Sequence, residues 1–425
     1  MRRNILIFLV SLGLVGLAVA PAMAQKLSGQ STTILRAFEQ TIYDEEGTFV
    51  PLYEYFTVNV TDAGLNGLSF HTSGWGRVNL YDFPEDDLDK ENLTYGYLDL
   101  WRLGNTVNLR AGRQFIYMGV VSGHADGVLV QLREKHFGIG VFGGIPVSEE
   151  TKLSESMFLE DESGDRLQGG RLYLSCPKIG EVGLSVGYSE EDNNTDQRNL
   201  GVDWALTRYS LMSVIGHLNY DLITEEIYDL AILPVLRLGG GLKFTYNYNR
   251  TIPTAALSKN SIFSVFASPD DKVTDMGYTL DMRIGMIKFT FDRHSYNYEE
   301  GDDTSKWGIG LAVSFGEDRR NVGAFGYHKC NGVENEYSEY RVYARYHVIE
   351  DLFVDVDYLG YSYDEDINGE GSSLNLVGDV GYELADNVEV LGAVEYSDNP
   401  LAEDSEVRGL VKVAWNFRES FSFDK

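Results

Sequence analysis

Cysteine is nearly absent: Cys176 and Cys330 are the only two in 425 residues. No CxxC, CxxCH or metal-type Cys/His spacing can be built from them. A disulfide scaffold, a structural zinc site and a covalently attached haem are thereby excluded as organising features. Proline is scarce too, at 9 residues, and no Pro-rich, Ser-rich or low-complexity tract marks a linker. Bases are few: 35 Lys and Arg stand against 65 Asp and Glu, a formal charge of −30. That balance excludes nucleic acid as a partner, because binding a phosphate backbone requires basic patches. Beyond the first 24 residues no apolar run approaches the roughly 18 residues a membrane helix needs. No segment shows a convincing helical period.

What is present begins with a leader. Arg2 and Arg3 precede an apolar run from Ile5 to Ala20, and Ala22-Met23-Ala24 supplies a small-x-small cleavage pattern. Residues 1–24 read as a secretory signal peptide, cleaved before Gln25. No Cys follows that site, which argues against lipidation.

The rest of the chain is rich in Gly, at 45 residues, and its 27 Tyr outnumber its 21 Phe. It alternates along almost its whole length. In "GLKFTYNYNR", Leu242, Phe244, Tyr246 and Tyr248 share one side of an extended chain, and Lys243, Thr245, Asn247 and Asn249 share the other. "EVGLSVGYS", "WGIGLAVSF", "IKFTFD", "RVYARYHV" and "VRGLVKVAWNF" repeat the pattern. Each unit is about 10 residues, the length a tilted strand needs to cross a bilayer. The spacers alternate in length. Short ones fall near 179–180, 206–207, 238–240, 284–285, 349–351 and 385–387. Long ones fall at 82–91, 146–168, 190–196, 251–272, 298–304, 330–336, 364–371 and 397–405, and hold acidic stretches such as "PEDDLDKE" and "YEEGDDT".

A sheet with tight hairpins at one end and loose ones at the other predicts a transmembrane antiparallel up-and-down β-barrel of about 22 strands, within a range of 18–24. Closure removes sheet edges and satisfies every backbone amide in lipid. The predicted boundaries are a short periplasmic segment over 25–31, the barrel over 32–417 and a tail over 418–425. No plug domain is expected. The apolar faces end in Tyr188, Trp307, Phe315, Tyr346, Trp415 and Phe417, which suit interfacial aromatic girdles.

With these residues in place the chain resembles the outer-membrane porin superfamily. Its last strand, "VRGLVKVAWNF", looks like the aromatic-ended insertion signal of such barrels, although "RESFSFDK" follows Phe417. Five stretches in the first third are similar to barrels of anaerobic metal-respiring bacteria proposed as porin partners of multihaem cytochromes: "FVPLYEYFTVNV", "GLSFHTSGWGRVNLYD", "LTYGYLDL", "LRAGRQFIYMGVVSGHADGVLV" and "GVFGGIPV". The resemblance implies a Gram-negative outer-membrane location, and as partners outer-membrane lipid together with either periplasmic and surface multihaem cytochromes or small solutes.

Lumen size bears on that choice. Barrels near 22 strands enclose a lumen wide enough to need filling. The spacers 146–168 and 251–272 are candidates to fold inward; otherwise the passage is open or holds another protein.

Candidate lumen-lining charges are Lys243, Lys288, Asp292, Arg341, Arg345, Asp355, Asp357, Asp379, Glu389, Glu395, Arg408 and Lys412. They would set ion preference in a channel or contact an enclosed protein in a sheath. No HExxH or HxxxH spacing joins His71, His124, His136, His217, His294, His328 and His347, so neither a metal site nor a catalytic centre is expected. The acidic spacers could attract Ca²⁺, but none has EF-hand spacing. Cys176 and Cys330 fall at opposite rims and are expected to be free thiols. The chain is read as a non-enzymatic porin-type channel without a cofactor, possible sheath of a multihaem cytochrome. The alternatives are an open diffusion porin and, last, a surface hydrolase.

Overall fold

The computed structural model describes residues 26–420, apart from 43–44, 63–66, 81–89, 105, 148–164, 192–193, 209, 253–271, 300–302, 317–318, 333–334 and 401–404. The described residues form strands and turns and no α-helix. The strands are β1 (Lys26–Ile42), β2 (Glu45–Phe49), β3 (Pro51–Thr61), β4 (Leu68–Asn79), β5 (Lys90–Leu103), β6 (Val107–Met118), β7 (Val121–Arg133) and β8 (Phe137–Pro146). They continue as β9 (Arg166–Cys176), β10 (Gly180–Glu191), β11 (Asn194–Arg208), β12 (Met212–Asp221), β13 (Glu226–Gly239), β14 (Leu242–Thr251), β15 (Val273–Ile284) and β16 (Ile287–Tyr298). The last are β17 (Thr304–Phe315), β18 (Asn321–Asn331), β19 (Tyr337–Ile349), β20 (Leu352–Ile367), β21 (Glu370–Ala385), β22 (Val388–Asp398) and β23 (Glu406–Ser420).

Every strand from β3 to β22 pairs antiparallel with the next, and β3 pairs with β1. β1 also pairs with β23, from Lys26↔Ser420 to Ala37↔Gly409, and this seam closes the ring. β2 pairs only with the outer end of β1, so it extends one hairpin above a closed barrel of 22 strands. A ring of that size is roughly 40 Å across at the backbone.

Alternation decides the two faces. On β10, Leu184 and Val186 are 53% and 54% exposed, whereas Ser185 between them is 2% exposed. Curvature spreads side chains on the convex face and crowds them on the concave one. The concave face is therefore the one carrying Gly183, Ser185 and Gly187. Bonds that skip a strand confirm it. Arg171 on β9 reaches Asp203 on β11 across Gly183, where a Cβ would lie 2.6 Å from the guanidinium. Lys306 on β17 likewise donates to Glu339 on β19 at 3.0 Å.

The structure moves several expected boundaries. β1 starts at Lys26, so residues 26–31 belong to the wall and not to a separate segment before it. β23 runs to Ser420, past the expected end at Phe417, and 421–425 lie outside the described residues. The expected long spacers at 190–196 and 364–371 are largely strand. β20 and β21 meet in a tight turn at Asn368-Gly369, both with positive φ (53° and 88°), the pair a type I′ hairpin demands. The candidate inward-folding spacers 146–168 and 251–272 lie mostly outside the described residues. Both cysteines are free: Cys176 is exposed and Cys330 buried.

Candidate functional site: the lumen and its inward hairpin

The concave wall collects the twelve candidate charges. Registers place each of them on the same face as its neighbours. Lys243 and Lys288 both hold Asp281, at 2.9 and 3.0 Å. Arg345 grips Asp355, its Nε donating at 2.7 Å, and Arg341 Nε donates to Asp357 at 3.0 Å. Lys412 donates to Glu389 at 3.1 Å. Glu395 accepts from Asn375 at 2.6 Å. Arg408 lies opposite Glu395 in register but pairs with Glu406 on its own strand. Asp292 meets His328 at 3.4 Å, and Asp379 faces Asp355 directly across β20 and β21. The wall is thus a mosaic of local pairs, and most of its charge is neutralised within two strands.

The six aromatics expected as girdle residues lie on the convex face. Trp307, Phe315, Tyr346 and Trp415 are among its exposed large side chains. Phe417 lies tilted against Trp415, with ring centroids 5.1 Å apart, and covers Gly29. Tyr188 continues the row of Val182, Leu184 and Val186.

Sequence reading missed other inward groups. Arg171 binds both Asp203 and Glu181, the latter at 2.7 Å. His217 meets Asp229 at 2.6 Å and His294 meets Asp275 at 2.9 Å. The strands bearing Arg171 and Asp203 are signalled by alternation alone, which does not say which polar groups meet. Arg171→Met would leave Asp203 and Glu181 without their shared cation. It is expected to destabilise the barrel by ~1–3 kcal/mol, read as a lower midpoint in heat-modifiability gels.

One sector of the lumen is aromatic. Tyr53 stacks on Tyr55 at 6.2 Å, and Tyr55 lies 6.5 Å from Trp75. Tyr95 is 5.7 Å from Tyr97, Tyr97 stacks on His71 at 5.0 Å, and Arg110 covers Tyr97 at 4.5 Å. These rings share the inward face of β3, β4 and β5, and Arg110 joins them from β6.

The largest surprise is a hairpin that leaves the wall. β5 pairs with β6 no further than Gly96↔Arg113, and β8 pairs with β7 no further than Ala125↔Pro146. Beyond those points β6 and β7 pair only with each other, up to Met118↔Val121. Gly112 has φ +123°, and a Cβ there would lie 2.3 Å from the Gly96 carbonyl oxygen. Only glycine makes that bend readily. The hairpin then folds over β8–β11. Ile116, Met118, Val121 and Ala125 are buried with Leu129 and Phe142 in the core cluster, against Val120 and Leu167. Gly140, Gly169, Gly187 and Gly201 provide the floor, where added Cβ atoms would meet Met118, Val121, Val121 and Val120. The Val120 amide donates to Ser185 Oγ at 3.0 Å. At the bend, Arg113 Nε donates to Asp126 at 3.0 Å. Tyr117, on the other side of the hairpin, is 76% exposed. An apolar core inside a polar lumen therefore pins a constriction to one wall.

At the long-loop rim, Lys272 bridges Glu226 and Glu299 at 3.1 and 3.4 Å. Its hydrogen bonds to Glu226 and then Glu299 raise the ammonium pKa. Among the described residues no group of three His, Cys, Asp or Glu side chains is arranged to hold a metal ion.

Comparison with solved structures places the architecture among outer-membrane β-barrels. The siderophore receptor PirA from Acinetobacter baumannii matches with TM-score 0.60 and 8% identity, over 93% of this chain and 81% of the receptor. PirA from Pseudomonas aeruginosa matches with TM-score 0.58 and 13% identity over the same shares. A mutant of the ferric enterobactin receptor PfeA from Pseudomonas aeruginosa gives 0.56 and 8%, over 92% of this chain and 80% of that one. At these identities the likeness concerns fold. No protein-family profile matches the chain. No curated protein sequence matches it.

Proposed function

We propose that this chain is an outer-membrane channel of porin type in a Gram-negative bacterium, exported through residues 1–24 and without chemistry of its own. Its short-turn rim faces the periplasm and its convex face meets lipid. The observation that carries the reading is the closed wall itself, apolar outside and charged inside, narrowed by a hairpin docked on its inner face. The purified barrel is expected to give stable conductance steps in planar bilayers. A protein that folds, inserts and never conducts ends the reading.

A second reading is a sheath around a protein, in particular a multihaem cytochrome. The width of the ring and the aromatic sector around Tyr55, Trp75 and Tyr97 favour it, because aromatics and Arg are enriched where proteins meet. Purification from the native membrane with a Soret band in constant proportion to the barrel supports this reading. Haem-free preparations that conduct at full size remove it.

A further inference from the structure

One stretch of the inner wall breaks the mosaic of paired charges. At the short-turn rim, Arg237 on β13, Lys243 on β14, Arg283 on β15 and Lys288 on β16 all point inward. Their registers run Arg237↔Lys243, Lys243↔Asp281 and Arg283↔Lys288. Neighbouring strands lie ~4.8 Å apart, so the four cations fit within an arc of about 15–20 Å. Asp281 is the one inward carboxylate among the described residues of this arc. It is already engaged by three donors, taking Lys243 at 2.9 Å, Lys288 at 3.0 Å and the Thr290 hydroxyl at 2.9 Å. Arg237 reaches only the Ser213 hydroxyl, at 3.5 Å. The Arg283 guanidinium bonds to no described side chain and is exposed.

The flanks are uncharged: Ser213 and Ile215 on β12 to one side, Ala312 and Ser314 on β17 to the other. Beyond them ion pairs resume, Arg171 with Glu181 and Asp203 past β12 and Arg345 with Asp355 past β17. Four cations against one carboxylate is the reverse of the chain's overall balance of −30. Like charges this close repel, and carboxylates were available to neutralise them, as they do elsewhere on the wall.

We propose that this arc is an anion-binding site at the periplasmic mouth, for small solutes bearing two or more carboxylate or phosphate groups. Asp281 holds the two lysines upright, and the remaining donors of Lys243, Lys288, Arg237 and Arg283 converge on the ligand. Charge-assisted hydrogen bonds of this kind are the strong ones, and guanidinium groups take oxyanions in a fork. The proposal deepens the channel reading, which supplies the role of the site. The binding itself stands independently of conductance.

Calorimetric titration of inorganic pyrophosphate into the full barrel, in uncharged detergent at low salt, tests it. One site per barrel is expected, weakening as NaCl rises. Lys243→Gln, Arg283→Gln and Lys288→Gln should each weaken binding ~10–100-fold. Arg408→Gln, on another sector, should leave it unchanged. Arg283→Lys, which keeps the charge, should retain most of the affinity and covers the case in which a neutral variant fails to fold. No heat of binding by the wild-type barrel overturns the proposal, as does equal loss in Arg408→Gln. Binding by a barrel that does not conduct would end the channel reading and leave the site standing.

Discussion

Val121→Asp is expected to release the inward hairpin and raise single-channel conductance by a factor of about two or more. Val121 is 2% exposed, pressed against Gly169 and Gly187 with Ile116 and Met118 beside it. A carboxylate there has no partner among the described residues and would cost several kcal/mol to bury. Each of the three apolar side chains contributes only ~1.5–3 kcal/mol to holding the hairpin down. Apart from the Val120 amide bond to Ser185 Oγ and that from the Val147 amide to the His124 carbonyl, the hold is this apolar contact, because residues 114–124 join no ladder with a wall strand. A two-stranded hairpin is at best marginal alone, so the released segment should lose its amide protection in hydrogen exchange while the wall keeps its own. Gly201→Leu, which pushes on Val120 from the floor beneath it, should act in the same direction. Tyr117→Asp, on the exposed side, should not. Unchanged conductance in Val121→Asp with an intact barrel would show that the hairpin is not the constriction.

Leu184→Arg should impair insertion and stability by ~2–4 kcal/mol in lipid vesicles. Leu184 sits on the convex face near the middle of β10 and is 53% exposed. An arginine there would be held in hydrocarbon with no described inward partner within reach. Thr245→Arg, a change on the concave face of β14, should cost far less because its side chain enters the lumen. The difference between the two is the measurement, by urea titration of reconstituted protein. Equal effects would mean that the convex face does not contact lipid.

Much of this architecture was legible in the sequence, for a physical reason. A strand with one apolar face outside a ring and one polar face inside it must alternate, so "GLKFTYNYNR" and "WGIGLAVSF" announce both their structure and their faces. The faces on which the twelve candidate charges and six candidate girdle aromatics lie follow from parity alone. Parity says nothing about partners. That Arg171 would reach over Gly183 to Asp203, or that Asp281 would be shared by two lysines, depends on registers fixed by the whole ring. The inward hairpin was hidden for a different reason. "GRQFIYMGVVSGHADG" alternates as a wall strand does, and its short turn at Gly119-Val120 gives no sign of which rim it occupies. The signal lay elsewhere in the chain, in Gly140, Gly169, Gly187 and Gly201, four positions on separate strands that clear a floor. Turn residues also misled: "SEEDNNTDQ" and "YDEDINGE" look like loops by composition, yet they largely prolong hairpins above the wall.

The seam between β1 and β23 has a consequence for how this polypeptide is made. The strand made first finds its closing neighbour only when the last has been made, nearly the whole chain later. Until then an unmatched edge persists at each end, and edges of that kind recruit other chains. Closure of the ring must therefore wait for completed synthesis. Truncation at the carboxyl terminus by even one strand should leave material that is degraded or aggregated, with no smaller ring in its place.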